Sequence, residues 1–215
     1  EGPELEDDEW RSCLDYVAQA VTPGGFVVAS GSLPPGVPDD FYARVVRLAR
    51  TAGARCIVDS TGPALAAALA EGTFLVAPSR RELEAHVGSA LDSDQSRADA
   101  ALSLIAAGAA EYVALTLGAE GALLASRAAT YRLTAPAVQT VSSVGAGDSF
   151  LAGFVHRMAQ GCTVEQAFRT AVAAGTAAVT TPASELCHRE DVERLEAALP
   201  AHAGRKALSG GSRRT

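Results

Sequence analysis

The sequence predicts an α/β fold in which a mostly parallel β-sheet is covered by helices on both faces. Two observations predict it: short apolar runs typical of buried strands alternate with amphipathic helical segments, and glycine-rich or polar loops follow the strands. With 215 residues, of which 48% are apolar, the chain is long enough to bury one substantial core. We find no internal repeat and no linker, so we expect one domain over residues 1–203 and a basic, disordered tail over 204–215.

The predicted elements alternate along the chain. Helix 6–20 has acidic residues in its first turn, and Pro23-Gly24-Gly25 ends it. Strands are predicted at 26–29, 56–58, 74–76 and 112–117, with a hairpin at 122–126 and 130–133. Further helices are predicted at 39–52, between the second and third strands, and at 81–87, 97–107, 148–160, 164–180 and 191–199. In open α/β sheets ligands bind outside the carboxyl ends of the strands, which is where the polar loops of this sequence fall.

Composition excludes several classes of function. The net charge of -7 argues against nonspecific binding to nucleic acid or to a membrane surface. The cysteines at 13, 56, 162 and 187 show neither a C-x-x-C pair nor zinc spacing, which predicts reduced thiols in a cytoplasmic protein. The histidines are equally scattered, so we expect no metal role for them. No apolar run reaches the ~20 residues of a membrane span, and the acidic N-terminus is unlike a signal peptide.

The strongest motif is the run SSVGAGDSF at 142–150, which leads into an amphipathic helix. Small residues before a helix allow several backbone N–H groups to converge, and these groups with the positive end of the helix dipole form a site for phosphate oxygens. Asp148, placed there, would stay ionised and would accept the proton of an attacking hydroxyl group. The alternative is an ordinary glycine-rich loop in which Asp148 only caps the helix.

The chain resembles the ribokinase-like (pfkB-type) carbohydrate kinases, whose hallmark is a GAGD run at the start of a late helix. It is most similar to the ribokinase-type 6-phosphofructokinases. The resemblance runs from about residue 2 to residue 199 and implies a three-layer α/β/α sandwich. The stretches that carry it are GSLPPGV at 31–37, RCIVDS at 55–60, LGAEGA at 117–122, VGAGDS at 144–149, VAAGTAA at 172–178 and LC at 186–187.

The resemblance implies roles for the catalytic and sugar-binding residues. Asp148 is expected to be the catalytic base, and the amides of Gly145, Ala146 and Gly147 to form the anion hole for the transferring phosphoryl group. Ser32 falls where this branch of the family contacts the sugar phosphate. A proline-rich turn is the alternative interpretation of Ser32.

The resemblance also implies an ATP site and two cation sites. Thr116, Gly118 and Gly121 match the loop that holds the ATP phosphates, although a simple turn before a hairpin would look the same. Thr140 and Thr176 match nucleotide-contacting positions, and Thr176 is equally well interpreted as a helix residue that bonds its own backbone. Ser142 and Val144 match carbonyl groups around a monovalent cation, which is potassium in the family. The expected cofactors are therefore ATP and Mg²⁺, with K⁺ as a further candidate.

Two departures from the family pattern concern the cation sites. The N-x-x-E motif that arranges Mg²⁺ and its waters reads Ser79-Arg80-Arg81-Glu82 here, so we place Ser79 at the ATP and Glu82 at the water-bound Mg²⁺. The same four residues also match a capping box, which needs no metal. Near the end, TPASE at 181–185 replaces a more polar potassium loop, and Glu185 stands where this branch has an arginine.

The resemblance further implies about a hundred preceding residues, judged from family domain sizes. That segment carries the first strands, a substrate-binding aspartate and a β-lid that excludes water and usually forms a homodimer interface. We therefore expect an N-terminally truncated kinase that is weakly active or inactive alone.

The predicted activity is ATP-dependent phosphorylation of fructose 6-phosphate to fructose 1,6-bisphosphate. Alternatives within the family are a 1-phosphofructokinase and a tagatose-6-phosphate kinase. An alternative of another class is a non-catalytic remnant or interaction protein, which Ser79, Glu185 and the missing segment favour. A dinucleotide-binding oxidoreductase is disfavoured because its glycine-rich turn should follow the first strand.

Overall fold

The computed structural model describes residues 2–183, 185–200 and 204–207, and within them seven strands form one sheet. The strands are β1 (Phe26–Ser30), β2 (Arg55–Asp59), β3 (Thr73–Val76), β4 (Ala110–Thr116), β5 (Ala122–Ser126), β6 (Ala129–Leu133) and β7 (Gly204–Ala207). Their order in the sheet is their order in the chain. Strands β1 to β4 are parallel, and β5, β6 and β7 each join antiparallel to the strand before.

Helices cover both faces of the sheet, as the sequence predicts. They are α1 (Asp7–Ala20), α2 (Phe41–Thr51), α3 (Gly62–Glu71), α4 (Arg80–Val87), α5 (Asp94–Ala106), α6 (Ala146–Ala159), α7 (Val164–Ala178) and α8 (Arg189–Ala198). Because each parallel strand is added on the same side of the previous one, connections of a single hand place α2 to α5 on one face. One core cluster joins these helices to the sheet, and a second joins α6, α7 and α8 to the opposite face.

Helix α7 is the central helix of the second face, and α6 packs closely against it. A Cβ added to Gly153 of α6 would lie 3.0 Å from the Ala174 Cβ, and one added to Gly175 of α7 would lie 3.1 Å from the Ala146 oxygen. Small residues let two helix backbones approach in this way. Gly175 therefore sets how closely the first turn of α6 approaches the middle of α7.

Two details differ from the sequence-based expectations. Helix α6 begins at Ala146 rather than at Asp148. Gly145, in a left-handed conformation, is the N-cap, and the helix begins at the next residue. Residues Gly204–Ala207, which we expected to be disordered, form strand β7 through backbone pairing with the otherwise open edge of β6. The rest of the predicted tail, 208–215, lies outside the described residues. None of the helices in the described part of the chain has the length and apolar character that a membrane span requires.

Candidate active site

Two pairs of polar residues meet at the carboxyl ends of the parallel strands. Ser30 at the end of β1 and Asp59 at the end of β2 are register partners. Ser79, which follows β3, forms a parallel bridge with Thr116, the last residue of β4. The Thr116 N–H also donates to the Pro78 oxygen at 3.0 Å. The carboxyl ends of parallel strands share one edge of the sheet, so these residues line the edge at which a ligand is expected.

The first turn of α6 presents free backbone amides to this edge. Gly145 is the N-cap, at φ 78°, and the cap has no side-chain hydrogen bond. The Ala146 N–H donates to the Ser143 oxygen at 3.4 Å, whereas the N–H groups of Gly147 and Asp148 make no hydrogen bond within the described part of the chain. Unpaired amides at the positive end of a helix dipole bind phosphate oxygens. The turn therefore has the donors that an anion hole requires.

The Asp148 carboxylate lies in the same turn and is exposed. Ser30 Oγ donates a hydrogen bond to Asp148 Oδ1 at 3.1 Å. The same Ser30 oxygen lies 3.5 Å from Asp59 Oδ2. An exposed carboxylate with one oxygen held by a hydroxyl group has its other oxygen available to accept a proton.

Asp59 is a second, partly buried carboxyl group close to Asp148. Burial is the main reason that the pKa of Asp59 rises from 3.8 to about 6; the charges of Glu82 and Asp148 add to the rise, and the Ser30 hydroxyl opposes it. A Cβ added to Gly147 would lie 3.9 Å from Asp59 Oδ2. The charges of Glu82 and Asp148 therefore add to burial in disfavouring ionisation of Asp59.

Ser79 and Glu82 form the capping box that their spacing predicts. The Ser79 N–H donates to Glu82 Oε2 at 2.7 Å, and the Glu82 N–H donates to Ser79 Oγ at 3.4 Å. A cleft of about 610 Å³ opens beside them, between α3 and α4. No group of three or more His, Cys, Asp or Glu side chains among the described residues has the geometry of a metal cage. Without such a cage, Glu82 fits Mg²⁺ only as an ion that keeps most of its waters.

The loop that follows β4 is a short 3-10 turn, Gly118–Glu120, closed by Gly121. The Leu117 N–H donates to the Gly121 oxygen at 2.9 Å. Glu120 is tied to α5, since Arg97 Nη1 lies 2.9 Å from Glu120 Oε2. The loop is therefore braced by an ion pair on the side of the sheet that carries α5.

The other residues predicted to contact the nucleotide or the sugar have different surroundings. Thr176 is buried, with 7% of its surface exposed, and its hydroxyl donates to the Val172 oxygen at 2.7 Å. That bond matches the alternative in which Thr176 bonds its own helix. Thr140 and Ser32 are exposed, and their hydroxyls make no hydrogen bond within the described residues.

The loop with the candidate potassium ligands lies against the end of α7. The N–H groups of Val141 and Ser142 both donate to the Val179 oxygen, at 2.7 and 3.3 Å. The Val144 N–H donates to Ser142 Oγ at 3.2 Å. No hydrogen bond among the described residues reaches the carbonyl oxygens of Ser142 or Val144. Both carbonyls thus remain available as ligands.

Sequence reasoning gave no role to Ser30 or to Asp59. The usable signal was their position, because each is the polar residue that directly follows a predicted strand, just before a glycine- or serine-containing loop. Their contact with Asp148 depends on strand register and on the placement of α6, which the sequence motif does not contain.

Comparison with known proteins identifies close relatives. The family model for pfkB family carbohydrate kinases matches residues 2–191. The ATP-dependent 6-phosphofructokinase isozyme 2 of Mycobacterium tuberculosis is 41% identical over 194 residues, which cover 90% of this chain and 57% of that protein. The 1-phosphofructokinase of Bacillus subtilis is 33% identical over 195 residues, 91% of this chain and 63% of that protein.

A solved structure, phosphofructokinase-2 from Escherichia coli in complex with potassium, has the same fold. Its TM-score is 0.86 at 36% identity, and the match covers 91% of this chain and 63% of that one. The chain thus spans less than two thirds of the length of these relatives.

Proposed function

The chain belongs to the pfkB family of carbohydrate kinases, and we propose that it carries out the transfer of the ATP γ-phosphoryl group to fructose 6-phosphate, forming fructose 1,6-bisphosphate. The observation that carries the proposal is the first turn of α6. There the unpaired amides of Gly147 and Asp148 adjoin an ionisable carboxylate with one free oxygen. Phosphoryl transfer requires this combination of anion stabilisation and a placed base.

In the proposed reaction the sugar hydroxyl attacks the γ-phosphorus while its proton passes to Asp148 Oδ2. The bond between the γ-phosphorus and the bridging oxygen breaks, and ADP leaves with that oxygen. The backbone amides at 145–148 would hold the negative charge on the transferring group. The loop at 116–121 would hold the remaining phosphates, with Thr140 and Ser79 on the nucleotide side. Ser32 would contact the sugar phosphate.

Two cations belong to the proposal. Mg²⁺ would neutralise the ATP phosphates, held through its waters by Glu82, whose second carboxylate oxygen is outside the capping box. Potassium would take the free carbonyls of Ser142 and Val144. The E. coli phosphofructokinase-2, whose structure was solved in complex with potassium, supports that choice. We also propose that the whole protein assembles as a homodimer.

The acceptor is the least constrained part of the proposal. The M. tuberculosis relative, named a 6-phosphofructokinase, is more similar to this chain than the B. subtilis relative, named a 1-phosphofructokinase. This order favours fructose 6-phosphate, with fructose 1-phosphate and tagatose 6-phosphate as the competitors.

A coupled assay for ADP release, with each of the three sugar phosphates, tests the proposal on this polypeptide. We expect slow turnover that is fastest with fructose 6-phosphate and is abolished in Asp148→Asn. Faster turnover with fructose 1-phosphate would show that fructose 6-phosphate is not the preferred acceptor.

Calorimetry with Mg-ATP separates the enzyme from the second candidate, a non-catalytic remnant. The proposed kinase binds ATP, loses affinity in Gly147→Val and shows Asp148-dependent turnover. ATP binding without any such turnover would instead favour the remnant, which the replaced residues Ser79 and Glu185 also favour.

A further inference from the structure

A single hydroxyl group lies between the two carboxyl groups at the edge of the sheet. Ser30 Oγ is 3.1 Å from Asp148 Oδ1 and 3.5 Å from Asp59 Oδ2. A serine hydroxyl has one proton to donate, so it donates fully to only one of two carboxylates. The shorter distance assigns that proton to Asp148, since hydrogen bonds between oxygens weaken towards 3.5 Å.

The hydroxyl is held in place by its backbone. The OH of Tyr42, which is 7% exposed, lies 3.1 Å from the carbonyl oxygens of both Ser30 and Gly31, so its single proton is shared between the two. The Gly31 N–H donates to the backbone carbonyl oxygen of Asp59 at 2.9 Å. Ser60 Oγ donates to the Gly31 oxygen at 2.9 Å. The end of β1 is therefore fixed from α2 and from β2.

No other side chain has this relation to the base. Among the described residues, the bond from Ser30 is the only hydrogen bond that reaches the Asp148 carboxylate. The carboxylate is exposed, and without that bond its side-chain torsions would be free to move between staggered positions.

We propose that Ser30 is a positioning residue for Asp148, which holds Oδ1 of the carboxylate and thereby turns Oδ2 towards the hydroxyl group that is to be phosphorylated. Asp59 is the second acceptor within reach of the serine hydroxyl, at the longer distance of 3.5 Å. The inference rests on the proposed function in taking Asp148 as the base. The placement of its carboxylate is nevertheless a property of the free protein and is measurable without turnover.

The first test measures the Asp148 side chain by nuclear magnetic resonance on the full 215-residue chain. Three-bond couplings from the Asp148 Cγ to the backbone nitrogen and carbonyl carbon report the populations of its χ1 rotamers. We expect one dominant rotamer in the wild type and in Ser30→Thr, which keeps the hydroxyl. We expect averaged couplings in Ser30→Ala and in Ser30→Cys, whose thiol is a weak donor of nearly the same size.

Ser103→Ala is the control. Ser103 is an exposed serine of α5 whose hydroxyl donates to the Ala100 oxygen at 2.7 Å, so its removal should leave the couplings unchanged. A single unchanged rotamer in both Ser30→Ala and Ser30→Cys would overturn the inference. If Ser30→Ala does not fold, the Ser30→Cys and Ser30→Thr pair decides by the same measurement.

The second test is kinetic. Misplacing a catalytic group by about an ångström lowers turnover by roughly 100-fold, so kcat in Ser30→Ala is expected to fall roughly 10- to 100-fold with the KM for ATP unchanged. Ser30→Thr should recover most of the loss. If the wild type shows no turnover at all, the proposed function fails, while the rotamer measurement still decides the role of Ser30.

Discussion

Two glycine-containing loops lie at the carboxyl edge of the sheet. They look alike in sequence, but the space around their glycines differs. In the loop after β4, a Cβ on Gly121 would collide with the Leu133 oxygen, and the residue has φ 97° and ψ -128°. In the loop before α6, Gly145 has nothing within 4 Å of the added Cβ, and Gly147 has only the Asp59 carboxylate at 3.9 Å. The first glycine is required by the fold, and the second loop is open where a ligand would lie.

Charge separates the two loops as well. Arg97 is 5% exposed and holds Glu120 of the first loop at 2.9 Å, so that loop has an opposite charge beside it. The second loop adjoins Asp59 and Asp148 together with unpaired amides. A glycine is therefore required by the fold where an added Cβ would collide with backbone, as at Gly121, and it leaves room for a ligand where the space is empty, as at Gly118, Gly145 and Gly147.

Gly121→Ala should have the largest effect, a loss of about 3–5 kcal/mol in the free energy of unfolding, because overpacking adds to backbone strain. Urea unfolding followed by circular dichroism measures it. Gly118→Ala is the control in the same loop, since φ is 58° with nothing within 4 Å, and it should lose only about 1–2 kcal/mol. Equal losses in the two variants would break the comparison.

Gly147→Ala should separate stability from binding. Gly147 lies in the first turn of α6 at an unstrained φ, so alanine should leave the free energy of unfolding unchanged or raise it by up to about 1 kcal/mol. The methyl group would occupy the open space at the amide, and we expect ATP affinity to fall roughly tenfold, or about 1.4 kcal/mol. Calorimetric titration with Mg-ATP measures this change. An unchanged affinity would show that no ATP phosphate binds at this turn.

Asp59→Asn should change the pH dependence of stability. The pKa of Asp59 is raised from 3.8 to about 6, so the folded state binds its proton more tightly than the unfolded state does. The contribution of Asp59 to the stability of the wild type should therefore fall as pH rises from 3.8 through about 6.

Asparagine removes that loss and should stabilise the protein at pH 7 by about 1–2 kcal/mol, a figure reduced because the group is partly exposed to solvent. Urea unfolding of both proteins at pH 3, 5 and 7 provides the test. A difference between the two proteins that is the same at every pH would contradict this account.

Glu120→Gln should have the smallest effect, about 0.5 kcal/mol, because the Glu120 side chain is 53% exposed and Arg97 keeps its second partner Asp94. Urea midpoints compared with those of Glu193→Gln, an exposed glutamate at 193, measure it. A loss of several kcal/mol would show that the first loop depends on charge more than on the shape of Gly121.

The sequence was sufficient for the elements that are encoded locally. The helix N-terminus at 145–148 and the capping box of Ser79 and Glu82 are formed by residues that lie next to one another in the chain, so their spacing predicts them. Strand β7 was missed because its pairing with β6 is a tertiary contact of a short polar segment. Ser30 was missed for the same reason, since its bond to Asp148 depends on where β1 and α6 come together. Thr176 remained ambiguous because burial, which the sequence does not state, decides between the alternatives.

The order of the strands has a consequence for how the protein folds. The pairings among β1 to β6 join strands that are adjacent in the chain, and the widest of them is Thr73 with Ala110, so each closes a shorter loop than a contact between distant elements does. The bond between Ser30 and Asp148 instead joins residues 118 positions apart, and closing so long a loop costs more entropy. Ser30 and Asp148 should therefore come together late, after the sheet has formed. Pulsed hydrogen exchange would show this as protection of β2 to β4 before α6.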